Sequence, residues 1–338
     1  MRCLTTIVMI FLTALGQIMG QGKEYEGPED PAGDIAAERE GYMTGNRVFI
    51  YFRNTTELSD WPRVNVSKWP NNPNGLKMTD GIGLLVGAKV YIEDDGDAAT
   101  VDTIALTEPA DIYTKDHHTL YYLQTSYREE MDVDPTGTVE WGFYPVFNYF
   151  NETGEYVAQS NLPGSWPSAG WPSTGYETKW SGEWNGRFGR GVIYADQETY
   201  FVVNDAQDQE HLGPEDNVKY FPRSGHYVGD LKPDVTIQPG VPWGGLGLRV
   251  AVRGFQWNNP QARDAIFWEY SIANISDYDM RDVAFGYWLD NSIGGDGDDD
   301  LGYFNTEVDM AYSWDINGIG AGGLPTGVMG FAYLESPG

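Results

Sequence analysis

The chain has 338 residues, 50 acidic side chains against 21 basic ones, a formal net charge of -29 and a sequence pI near 4.2. So negative a surface, with no run of three basic residues, excludes nucleic acid and anionic lipid as partners, because both are bound through Lys and Arg patches. The length holds one large β-domain or two medium ones, and 14% aromatic residues, with 12 Trp and 22 Tyr, exclude disorder for the bulk of the chain.

Met1-Arg2 followed by the apolar run Cys3 to Leu15 reads as a secretory signal peptide, cleaved after Gly16 or Gly20 and assigned to residues 1–20. The run is too short for a membrane-spanning helix. Cys3 is the sole cysteine and precedes either cleavage point, so the mature chain has no disulfide and no thiolate chemistry. Residues 21–45 are rich in Glu, Asp, Gly and Pro and read as a flexible acidic leader with one short helical turn at Ile35–Glu38.

From Arg47 the texture changes to short β-type runs divided by turn signals. Arg47–Arg53 alternates, and Leu84–Ile92 is apolar and ends at the turn Asp94-Asp95-Gly96-Asp97. Gly142–Phe150 carries Pro145, which limits it to an edge strand. Later strands are expected at Thr199–Val203, Gly247–Arg253, Ile266–Ile272, Val283–Leu289 and Gly327–Leu334. In Gly247–Arg253, Leu248, Val250 and Val252 share one face and Arg249, Ala251 and Arg253 the other, the pattern of an antiparallel strand buried on one side. No segment sustains a helical period. The fold class is all-β, an antiparallel sandwich with long Trp/Gly/Pro-rich loops. An N-terminal β region covers 46–160, a Trp/Pro/Gly-rich connection 161–190 and a C-terminal β region 191–338, as one domain or two.

The connection contains the tandem Trp166-Pro-Ser-Ala-Gly170 and Trp171-Pro-Ser-Thr-Gly175, then Tyr176, Trp180 and Trp184. Pro and Gly at this density forbid regular structure. Two readings follow. The rings pack over the sandwich, or Trp166, Trp171, Tyr176, Trp180 and Trp184 form a platform that stacks on sugar rings.

The segment Asp290-Asn-Ser-Ile-Gly-Gly-Asp296-Gly-Asp298-Asp299-Asp300 carries five carboxylates and no Lys or Arg. Carboxylates packed so closely repel unless water or a cation screens them. Hard oxygen ligands on a Gly-bearing loop are what Ca2+ prefers. Asp290, Asp296, Asp298, Asp299 and Asp300 are the candidate metal ligands, and a solvated hairpin tip is the plain alternative. Asp296, Asp298, Asp300 and Glu307 fit an EF-hand register, but Leu301 stands where that loop needs Gly. Asp94, Asp95 and Asp97 read as an ordinary turn.

No catalytic residues are assigned. HExxH, GxSxG and Walker patterns are absent from the sequence, adjacent His117 and His118 face opposite sides of a strand, and Gly318–Gly323 matches GxGxxG only as a loop, because Pro325 forbids the following helix. A pair such as Glu183 and Glu198 is one arbitrary choice among many acids. The sequons at Asn54, Asn65, Asn151 and Asn274 are acceptors only in a eukaryotic host.

Several collinear segments carry a family likeness. They are Phe52-Arg-Asn54, Trp61-Pro62, Trp69-Pro70, Gly81–Val90, Ala195–Asp205, Gly245–Val250, Ile266–Asn274, Gly286–Asp290, Gly297–Asp300, Met310–Tyr312 and Leu334–Gly338. Over residues 46–338 the chain resembles the N-terminal region of large secreted surface proteins of Bacteroidota-type bacteria. The resemblance implies later Ig-like or fibronectin-like repeats and a C-terminal sorting domain, and it brings no established activity with it. The expectation is a secreted, Ca2+-stabilised cell-surface protein with a structural, adhesive or glycan-contact role, its partners glycans or other surface proteins. The alternative is a polysaccharide-acting enzyme or binding module using the Trp-rich loop.

Overall fold

The computed structural model describes residues 33–60, 62–63, 66–93, 117–125, 132–133, 140–172, 179–205, 219–220, 243–276 and 280–335. The signal segment, the first part of the leader (21–32), Asp94, Asp95, Asp97, Asn65, Tyr176, His211 and His226 lie outside the described residues.

The chain is all-β. The principal strands are β1 (Glu40–Met43), β2 (Phe49–Arg53), β3 (Ser67–Lys68), β4 (Thr79–Glu93), β5 (His117–Thr125), β6 (Tyr144–Pro145), β7 (Gln197–Asn204), β8 (Leu248–Gln256), β9 (Phe267–Asn274), β10 (Arg281–Asn291), β11 (Asp300–Asn305), β12 (Met310–Asp315) and β13 (Val328–Ala332). Helical segments among the described residues are three-residue 3-10 turns. One is Ile35–Ala37, started where the Asp34 carboxylate accepts from the Ala36 N–H at 2.7 Å and placed where the sequence predicts a single turn.

Three antiparallel groups matter. The first has the order β10-β4-β5, and β1-β2-β3 joins it through the bridge pairs Phe52–Leu58 and Leu58–Ile82. The second runs β9-β8-β7-β6, with the Pro145 strand at its edge as the missing N–H requires. The third is the small sheet β11-β12-β13. Period-two alternation on β4 sends Ile82, Leu84, Val86 and Ala88 into one core, where they meet Phe201 and Val203 of β7 and Leu248, Val250 and Val252 of β8. Two sheets thus close on a shared apolar layer, as in a sandwich.

The sequence makes β8 one-sided, and the structure corrects this. Arg249 and Arg253 on its other face are each only 7% exposed. That face packs under a second cluster in which Tyr200, Val202 and Ala251 meet Val146, Tyr149, Trp171 and Trp184. Arg253 lies over the Tyr200 ring at 3.8 Å and donates to the Asn185 carbonyl at 2.6 Å. Arg249 donates to the Tyr149 hydroxyl at 3.2 Å. Long Arg stems tolerate such burial when the guanidinium is stacked and hydrogen-bonded.

Within the Trp-rich connection, two of the rings pack into this second cluster. Trp171 and Trp184 are 0% and 1% exposed, with ring centroids 5.6 Å apart in an edge-on contact. Trp166 and Trp180 pack against them, half-buried. The indole N–H of Trp166 donates to the Gln159 carbonyl, that of Trp171 to the Glu183 carbonyl, and that of Trp184 to the Glu198 carboxylate. Buried indoles with their single donor satisfied are core side chains. The faces of Trp171 and Trp184 are closed to a sugar. Glu198 is itself buried and accepts further from the Tyr194 and Ala195 N–H groups, so it is a structural carboxylate. Glu183 pairs with Arg190 at the surface.

Candidate metal centre

The acidic segment leaves β10 and turns back into β11. Its turn depends on Gly294 and Gly295, whose φ angles of 89° and 87° lie in the region that disfavours side chains. At Gly294 a Cβ would also sit 2.8 Å from the Gly320 Cα. The first half of the loop is fastened to the start of β4 and the residues before it. The Gly294 N–H donates to the Lys77 carbonyl at 2.9 Å, the Ser292 N–H to the Met78 carbonyl at 3.4 Å, and the Thr79 hydroxyl to the Asp290 carbonyl at 2.7 Å. Ile293 is fully buried.

The second half brings carboxylates together. Asp296, Asp299 and Asp315 each offer an oxygen within 4.8 Å of the others. Asp315 ends β12 and is the register partner of Asp300, which opens β11. Each anion is aimed by local bonds. Asp300 Oδ2 accepts from the Ile293 N–H at 2.7 Å, Asp315 Oδ1 from the Gly318 N–H at 2.6 Å, and Asp299 Oδ2 from the Asn317 amide at 2.6 Å. The remaining oxygens matter most. Asp315 Oδ2, Asp300 Oδ1 and the nearby Asn291 Oδ1 are buried and have no hydrogen-bond partner among the described residues, and Asp315 is only 4% exposed. No Lys or Arg forms an ion pair with Asp296, Asp299, Asp300 or Asp315 among the described residues. Burial first, and then the charges of Asp315, Asp296 and Asp299, push the Asp300 carboxyl above its usual range. Buried acceptors without donors carry a desolvation cost of about 1–3 kcal/mol each, which a hard cation would offset.

Of the five sequence-predicted ligands, Asp296 and Asp299 are brought together and Asp300 stands beside them. Asp298 is exposed and lies outside the cluster, and Asp290 exerts its charge on Lys77. Sequence reasoning missed Asp315. Its signal is faint, a single acid between the alternating run Met310–Trp314 and the turn Asn317-Gly318, and only strand register brings it opposite Asp300.

Elsewhere, Gly318–Gly323 forms the short strand Ile319–Gly320 and a 3-10 turn Ala321–Gly323, with no helix to hold a phosphate. Asn54 is buried, its amide donating to the Ala37 carbonyl. Among the described residues no helix is long and apolar enough to cross a membrane. Comparison with family models, curated proteins and solved structures finds no match.

Proposed function

We propose that this chain is a secreted, calcium-stabilised all-β protein of the cell surface or extracellular medium, with a structural, adhesive or glycan-contact role and no catalytic one. Asp296, Asp299 and Asp315 hold the ion, and Asp300 supplies a fourth carboxylate. The observation that carries the reading is the buried Asp315, whose Oδ2 has no hydrogen-bond partner and whose carboxylate clusters with those of Asp296 and Asp299, with no ion-paired cation among the described residues. Oxygen-only donors on a Gly-turned loop suit Ca2+, which accepts six to eight ligands in flexible geometry, better than Mg2+, which demands a near-ideal octahedron. The signal-like pattern of residues 1–20 and the likeness to secreted surface proteins support an extracellular setting, where Ca2+ is abundant. The burial of Trp171 and Trp184 counts against the alternative of a sugar-acting module built on the Trp-rich connection.

Calorimetric titration of the mature chain with CaCl2 tests this. The expected result is one stoichiometric site, with a Kd in the range of about 10⁻⁴–10⁻³ M typical of extracellular modules. Binding is lost in Asp315→Asn and kept in Asp298→Asn. Unchanged binding in Asp315→Asn, or no heat in the native protein, rejects the assignment.

A further inference from the structure

We infer, on the basis of the calcium reading above, that the ion is a latch that fastens the small sheet β11-β12-β13 to the sandwich. The carboxylates come from two bodies of structure. Asp296 sits on the loop whose first half is tied to Thr79 of the main sheet and to Lys77 and Met78 just before it. Asp300 and Asp315 sit at the adjoining ends of β11 and β12, and Asp299 immediately precedes β11. Without a cation the loop and the small sheet present like charges to each other; with one, the same oxygens pull them together.

Among the described residues, the strands of the small sheet reach the body through few side chains. In register, Leu301, Trp314 and Val328 share its outer face with Tyr303 and Tyr312, and Leu301, Tyr303 and Val328 are 46%, 58% and 63% exposed. Its inner face reaches the body through Met329 and Phe331, the latter 4.5 Å from the Tyr287 ring, through the Asn291 amide donating to the Ser313 hydroxyl at 2.7 Å, and through the Ile293–Asp300 bond. Elements with few buried contacts open locally at a free energy below that of global unfolding. A ligand bound only to the closed form suppresses such opening by a factor of one plus the ratio of its concentration to Kd.

Hydrogen exchange of the mature chain, run beside the calorimetric titration, decides the matter. With Ca2+ at ten times its measured Kd, amides of 300–305, 310–315 and 328–332 should exchange about tenfold more slowly than in chelator, while those of β7 and β8 stay unchanged. Asp315→Asn should exchange at the same rate with or without Ca2+, and Asp298→Asn should behave as the native chain does. If calorimetry finds the ion but protection is uniform or absent in the small sheet, the latch is wrong and the site stands. If calorimetry finds no ion, the site is wrong and the latch falls with it.

Discussion

Asp205 shows how single side chains in this fold are held by backbone rather than by counter-charge. It follows β7, is buried, and accepts from the Leu246 N–H at 2.9 Å and the Leu248 N–H at 2.7 Å. Burial pushes its carboxyl up to about 7, against the pull of those N–H groups. A folded-state pKa above the unfolded value of 3.8 means that the folded state binds the proton more tightly. The stability this contributes is complete below the unfolded pKa and lost as pH rises through about 7. An amide at this position has one acceptor oxygen for two separate donors. Asp205→Asn should therefore cost roughly 1–3 kcal/mol. Its deficit against the native chain should be larger near pH 5 than near pH 8, as read from denaturant midpoints. A deficit that grows with pH would contradict the assignment. Nothing in the local sequence marks Asp205 as buried, because the N–H groups it serves lie across the β7–β8 pairing.

At the scale of elements, alternation was a faithful guide to one face and silent about the other. Ile82, Leu84, Val86 and Ala88 on β4, and Leu248, Val250 and Val252 on β8, announce the main core by period two, and it is where they pack. Arg249 and Arg253 carry the usual signature of a solvent face, yet Tyr149 meets the first and Asn185 of the Trp-rich connection the second. Those contacts are set by long-range packing and not by any local pattern. β1 was likewise hidden in a segment that reads as acidic leader, because its four residues gain their order from pairing Tyr42 with Tyr51 and Met43 with Ile50. The same limit applies to the candidate metal centre, where the loop is written in consecutive Asp residues but Asp315 enters only through pairing with Asp300. Trp171→Ala tests the packing reading. Removing so large a buried side chain should cost about 3–5 kcal/mol by denaturant unfolding, and the native chain's Trp emission should not respond to soluble glycans through this residue. A loss near zero would mean that the ring does not support the β7–β8 face.

For the whole molecule, a net charge of -29 makes self-repulsion a general cost of the compact state, and any salt screens part of it. The account claims something narrower, that one divalent ion at Asp296, Asp299, Asp300 and Asp315 stabilises the fold beyond screening. Because these carboxylates repel without the ion, Asp315→Asn should act with opposite sign in the two conditions, destabilising the chain in Ca2+ and sparing or raising its stability in chelator. The most direct measurement is thermal unfolding of residues 21–338 in CaCl2 at roughly 2 mM, above a weak extracellular site's Kd, against EDTA with NaCl matched for ionic strength. A site at these carboxylates gives a higher Tm in Ca2+ for the native chain and for Asp298→Asn, and no rise for Asp315→Asn. Equal Tm values for the native chain in the two media, or an equal rise in Asp315→Asn, would contradict it.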